Sequence, residues 1–162
     1  MSWRPDDFRI KMSMLMSKIP FEILLVEDNP SDAELVEEAL AVWKAPNRLY
    51  VVDDGDKALR FLHRKPPYTE AAVPDLILLD LNLPKKDGIE VLREVKNDPQ
   101  LAMIPLIVLT TSDREYDVRK AYSLHANCYL TKPLEIDAFI DKVRSIEQFW
   151  LTHARLPHAL TA

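Results

Sequence analysis

Four apolar stretches of this sequence run directly into residues able to do chemistry. Glu27-Asp28 follows EILLV, Asp80 follows DLILL, Thr110 follows LIVL, and Lys132-Pro133 closes the stretch that begins at Asn127. Three carboxylates gathered at one edge repel and raise one another's pKa unless a cation sits among them. An oxygen-only set with open positions suits Mg²⁺, which keeps several waters and shares a phosphate. No histidine lies near these positions, which argues against zinc. A lysine supplies a point charge for a phosphoryl oxygen, a threonine supplies a hydroxyl, and a carboxylate can attack phosphorus to give an aspartyl phosphate. Each residue alone has a plainer reading. An acid or threonine after a strand commonly caps a helix or forms a turn, and Lys132 alone reads as a surface lysine. The joint order E-D, D, T, K-P is what points to phosphate.

Composition says how that phosphate would be held. The chain has 162 residues and only two glycines, Gly55 and Gly88. The G-x-G-x-x-G and G-x-x-x-x-G-K-[ST] loops need clustered glycines, so that backbone N–H groups approach the phosphate closely. Neither can be written here, which leaves side chains and metal. Gly55 and Gly88 each fall where a sharp turn calls for positive φ. A net charge of −5, from 21 basic and 26 acidic residues, disfavours direct nucleic-acid binding. The lone Cys128 excludes an internal disulfide and a cysteine zinc site, and suits a reducing, cytoplasmic setting. No apolar run approaches the roughly 18 residues of a membrane helix, so no membrane association is expected. The charged start MSWRPDDFRIKMSMLMSK is not a secretory signal. Residues 1–17 read as a flexible N-terminal extension, with MSKIPFEILLVEDN as the natural beginning.

Strands alternate with helices along the rest. Glu22–Val26, Arg48–Val52, Asp75–Leu79, Leu106–Leu109 and Asn127–Leu130 are strand candidates. The first helix starts at Pro30-Ser31 with acids in its first turn and turns Val36, Ala39, Leu40 and Trp43 inward. The second carries Ala58, Leu59 and Leu62. The third opens at Gly88 with Val91, Leu92 and Val95, and the fourth reaches about Leu124. The last starts near Glu135 with Ile136, Phe139, Ile140, Val143 and Ile146. Five βα units imply a parallel sheet with helices on both faces, and such sheets bind ligands beyond the carboxyl ends of their strands.

LLVEDN, DLILLDLNLPKKDG, LIVLTTS and YLTKP resemble the motifs of two-component response-regulator receiver domains, in the right order and over residues 19–144. The resemblance implies a five-stranded, doubly wound, flavodoxin-like α/β fold with strand order 2-1-3-4-5. It implies that Asp80 is the phosphoacceptor and that Asp28 binds Mg²⁺ directly. Glu27 would bind the metal directly or through water, with the Asn82 backbone carbonyl as a further ligand. Lys132 would hold the phosphoryl group and Thr110 would turn to hydrogen-bond it. Tyr129 matches the aromatic switch position that turns inward with Thr110. The Lys132–Pro133 peptide is expected to be cis. Two positions depart from the pattern. Thr111 stands where alanine is frequent and would crowd the phosphate. His125-Ala126 stands where Gly-Ala is frequent, and His125 reads as a helix-end residue rather than a ligand.

The receiver is expected to span residues 18–145, with 146–162 as an extension of the last helix. That tail is too short for a DNA-binding or enzymatic output domain, so the regulator is expected to stand alone and signal to an unidentified downstream protein by contact. NPSDAELVEEAL, LHANCYLTKP and the FWLT…LP ending resemble the short regulators paired with phytochrome-type histidine kinases. The implied partner is therefore a sensor histidine kinase of that type. Phe149, Trp150 and Leu151 are consecutive and cannot all face one core. A homodimer contact through these three is expected, against the alternative of a helix folded back on its own sheet.

Other functions fit the residues less well. An aspartyl phosphatase wants a second Asp two residues after its nucleophile, where this chain has Asn82. A flavin carrier wants a hydroxyl- and glycine-rich loop after the first strand, and Glu27-Asp28-Asn29-Pro30 would repel the phosphate. A receiver-fold interaction module whose binding ignores phosphorylation remains as the alternative to a phosphoacceptor that assists its own Mg²⁺-dependent phosphorylation and dephosphorylation without being a turnover enzyme.

Overall fold

A computed structural model describes residues 19–43 and 45–157. The expected N-terminal extension, residues 1–17, lies outside the described residues, as does the end of the tail from 158. The strands are β1 Phe21–Val26, β2 Asn47–Val52, β3 Leu76–Leu79, β4 Leu106–Thr110 and β5 Cys128–Thr131. The helices are α1 Pro30–Ala41, α2 Gly55–Leu62, α3 Gly88–Asn97, α4 Glu115–Ser123 and α5 Ile136–Ile146. All strands are parallel, in the order β2-β1-β3-β4-β5, so the expected doubly wound α/β fold is the observed one.

Side chains alternate across each inner strand, as the two-residue period requires. Leu24, Val26, Ile77, Leu79, Leu106 and Val108 face a core shared with α2, α3 and α4. Ile23, Leu25, Leu76, Leu78, Ile107 and Leu109 face the other core, under α1 and α5. Burial on both faces explains why EILLV and DLILL read as unbroken apolar runs.

Helix starts are fixed by local chemistry. Asn29 Oδ1 accepts from the Ser31 and Asp32 N–H groups, and Pro30 needs no partner for a missing N–H. Asp54 accepts from Lys57 N. Asp87 and Glu90 form a reciprocal capping box at the head of α3.

Two local expectations are corrected. Neither glycine has positive φ. Both are required by close approach instead: a Cβ on Gly88 would strike the Asp80 carbonyl and Leu81 Cα, and one on Gly55 would strike the Lys86 carbonyl. Among the described residues, the left-handed positions are taken by Arg64, Lys85 and His125. The Lys132–Pro133 peptide is trans, and among the described residues the cis proline bond is Pro66–Pro67. Trans is the ground state of most X–Pro bonds.

The tail also differs from a simple extension of α5. A π-helical run, Glu147–His153, follows Ile146. It returns Leu151 and Leu156 to the α1–α5 core, at 6% and 8% exposure. Leu151 is therefore removed from the expected dimer contact, because its side chain is already used inside its own domain. Trp150 is half-buried against that core, and Phe149 is 56% exposed.

Candidate functional site

The carboxyl ends of β1, β3, β4 and β5 meet, because β1-β3-β4-β5 are sheet neighbours. Glu27 and Asp28 leave β1, Asp80 leaves β3, Thr110 ends β4, and Lys132 follows β5. Backbone bonds continue past the strands and hold these residues in place: Glu27 N donates to Val52 O, Asp80 N to Val26 O, and Lys132 N to Thr110 O.

One oxygen from each of Glu27, Asp28 and Asp80 lies within 4.8 Å of the others. Glu27 and Asp80 are buried and Asp28 is exposed. A cavity of about 420 Å³, lined in part by Glu27, Asp28, Asp53, Lys57 and Tyr68, opens beside them. Lys132 reaches in from the other side. Its Nζ donates to Glu27 Oε1 at 2.5 Å, to Asp32 Oδ2 at 2.9 Å and to Asp80 Oδ2 at 3.0 Å. Asp80 Oδ1 accepts from Asn82 N at 3.1 Å. The Thr110 hydroxyl is fully buried and has no hydrogen-bond partner among the described residues.

Burial and crowding divide the charges unequally. Burial, reinforced by the neighbouring Asp80, pushes the Glu27 carboxyl up to about 9. Burial also acts to raise Asp80, but its contacts with Glu27, Lys132 and the Asn82 N–H outweigh that and hold it below the usual carboxylate range. Burial disfavours the Lys132 charge, yet Glu27, Asp32 and Asp80 together raise its pKa above the ordinary lysine value. No protein donor reaches Glu27 Oε2 among the described residues. Its hard oxygen, with those of Asp28 and Asp80, fits a divalent metal.

The sequence-predicted residues Glu27, Asp28, Asp80, Thr110 and Lys132 are brought together. Asn82 is adjacent, contributing its N–H to Asp80. Tyr129 stands on β5, paired with Val108 of β4. Its ring packs partly into the core, and its hydroxyl donates to Ser112 O at 2.7 Å. Thr111 is exposed. His125 is at the end of α4, as expected of a helix-end residue. Phe149, Trp150 and Leu151 are distributed as described above, away from these strand ends. Sequence reading missed Asp32. Its sole signal was its place in the first turn of α1, where it reads as a favourable interaction with the helix dipole.

Comparison with known proteins bears on the same region. A family model described as the response regulator receiver domain matches residues 23–144. Response regulator Rcp1 of Synechocystis sp. is 48% identical over 143 residues, covering 88% of this chain and 97% of that protein. The crystal structure of the phosphorylated cyanobacterial phytochrome response regulator RcpA superposes with a TM-score of 0.84 at 49% identity, over 86% of this chain and 99% of that one. The Mn²⁺-bound form of Rcp1 gives a TM-score of 0.83 at 48% identity, over 85% and 99%. No helix among the described residues is long and apolar enough to cross a membrane.

Proposed function

This chain belongs to the response regulator receiver domains, and from that premise we propose that Asp80 is the residue that accepts the phosphoryl group from a sensor histidine kinase. The observation that carries this reading is the position of Asp80: crowded by Glu27 and Asp28, with the Lys132 ammonium 3.0 Å from its Oδ2.

An Asp80 carboxylate oxygen attacks the phosphorus of the kinase's phosphohistidine. The O–P bond forms as the P–N bond breaks, and the imidazole leaves. Lys132 pairs with a phosphoryl oxygen, and the Thr110 hydroxyl gains in the phosphoryl group the partner it otherwise lacks. Homologues of this family bind a divalent metal, as the Mn²⁺-bound Rcp1 shows for that protein. In this chain Glu27, Asp28, Asp80 and the backbone carbonyl of Asn82 are the proposed ligands. The all-oxygen donors favour Mg²⁺, which would neutralise the charge on the phosphoryl oxygens. With it the chain assists its own phosphorylation and dephosphorylation, and acts as a phosphoacceptor rather than a turnover enzyme. The movement of Thr110 and Tyr129 would carry the change to a downstream protein.

RcpA is described as a phytochrome response regulator. Its 49% identity supports a kinase of phytochrome type as the partner, in the cytoplasm. The exposed Phe149 supports a homodimer formed through the 146–162 tail beyond a receiver of residues 18–145. The test is phosphorylation by a cognate kinase with Mg²⁺. Wild type is labelled and Asp80→Asn is not. Full labelling of Asp80→Asn would sink the assignment.

A further inference from the structure

Lys132 has three N–H donors and uses all three on the side chains of Glu27, Asp32 and Asp80. Any phosphoryl oxygen on Asp80 that takes a hydrogen bond from Lys132 must displace one of them. Two of the three, Glu27 and Asp80, belong to the acid cluster that fits a metal. The third, Asp32, does not. It stands on the first turn of α1, where its own N–H is fixed by Asn29 Oδ1 at 3.2 Å. It joins Lys132 across 100 residues of sequence at 2.9 Å. Its side chain is 24% exposed, against 5% for Lys132.

We propose that Asp32 is a positioning residue that fixes Lys132 over Asp80 and, as a negative charge beside its ammonium, weakens the hold of the site on a phosphoryl group. The inference rests on the phosphoacceptor reading above and deepens it. With the metal bound, Glu27, Asp28 and Asp32 contribute three negative charges and the phosphoryl group about two more. Lys132 and the divalent ion supply three positive ones. Asp32 is the one anion of this set that serves neither the metal nor the bond to phosphorus. Its charge therefore offsets part of the attraction between the Lys132 ammonium and the phosphoryl group.

Two substitutions separate the two roles. Asp32→Asn keeps an oxygen acceptor for Lys132 and removes the charge. Asp32→Ala removes both. Each is titrated with beryllofluoride, a phosphoryl mimic, at saturating Mg²⁺, with binding followed by the amide resonances of Thr110 and Tyr129. Mg²⁺ is titrated alone in parallel, so that any change in metal affinity is measured separately. Asp32→Asn is expected to bind beryllofluoride roughly three- to tenfold more tightly than wild type, the effect of one charge across a partly wet gap. Asp32→Ala is expected to gain less than Asp32→Asn, because Lys132 is no longer held. A merely structural contact predicts the opposite sign, with both variants weaker than wild type. Equal or weaker binding by Asp32→Asn overturns the proposal while leaving the phosphoacceptor reading intact. A wild type that gives no beryllofluoride response, with Asp80→Asn as the blank, overturns that reading and this inference with it.

Discussion

The hydroxyl of Tyr129 donates to the backbone carbonyl of Ser112 at 2.7 Å, tying β5 to the loop between β4 and α4. The same loop is held from its other side. Ser112 Oγ donates to Asp117 Oδ2 at 2.5 Å, and Arg114 Nε donates to that oxygen at 2.9 Å. The hydrogen bond from Ser112, then Arg114, keeps the Asp117 carboxyl below its usual range. Thr110 lies two residues before this latch, so the proposed shift of its hydroxyl toward a phosphoryl group would pull on a loop that Tyr129 restrains.

Tyr129→Phe should release that restraint while leaving the ring packed. Stability should fall by about 1 kcal/mol or less, the usual net worth of one hydrogen bond. Amide hydrogen exchange at residues 112–115 should quicken. Unchanged exchange there would show that the Ser112–Asp117–Arg114 contacts hold the loop unaided.

Glu27 gives the site a pH dependence with a definite sign. Its pKa is raised on folding from 4.5 to about 9, so the metal-free fold prefers the protonated form. That contribution to stability is fully present below about pH 4.5 and is lost as pH rises through about 9. Asp80, held low, contributes in the other direction and loses its contribution in acid. If Glu27 ligates the metal directly, as proposed, the metal displaces its proton. Apparent metal affinity should therefore climb between pH 6 and 8, by up to about tenfold per unit. In Glu27→Gln the slope should flatten, with a lower affinity throughout. Calorimetric titration of the metal at three pH values checks both. A pH-independent affinity in wild type would show that Glu27 is already ionised before metal arrives.

Legibility followed sequence distance and chain direction. The acidic edge could be read because a parallel sheet puts every strand's carboxyl end on one side. Glu27, Asp28, Asp80, Thr110 and Lys132 therefore had to converge once the order of strands was known. Asp32 could not be read, because its value lies in a contact with Lys132 that depends on how α1 leans against the end of β5. The two glycines were legible as necessary and not for the right reason. Backbone proximity at Gly88 and Gly55 leaves no trace in local sequence, whereas positive φ is the commoner reason for glycine in a turn. The burial of Leu151 depends on the π-helical run, since α-helical spacing carried on past Ile146 gives a different phase.

His125 should be replaceable with profit. It closes α4 at φ 70, with His125 N donating to Tyr122 O at 2.9 Å and Ala126 N to Ala121 O at 3.1 Å. That is the paired arrangement in which glycine is favoured, because a Cβ is strained in the left-handed region. His125→Gly should raise unfolding stability by about 1 kcal/mol in chemical denaturation, with beryllofluoride binding unaltered. A loss of stability would mean that the imidazole contributes packing or hydrogen bonding worth more than the strain.

The tail offers a test in which neighbouring residues have opposite outcomes. Phe149 is 56% exposed and Leu151 only 6%, and Phe149 meets the Trp150 ring edge-on, with centroids 5.3 Å apart. Exposed aromatic surface of this kind is typical of the centre of a protein contact. Phe149→Ala should reduce the solution mass toward that of one chain, with unfolding stability of the monomer changed by less than about 0.5 kcal/mol. Leu151→Ala should do the reverse. It should lower stability by about 2–4 kcal/mol through loss of core packing and leave the assembly state of the folded fraction as in wild type. Sedimentation and denaturation of both variants, run at the same concentration, measure the two effects apart. If Phe149→Ala keeps the wild-type mass, the tail is not the contact between copies, and Phe149 is left without an assembly role.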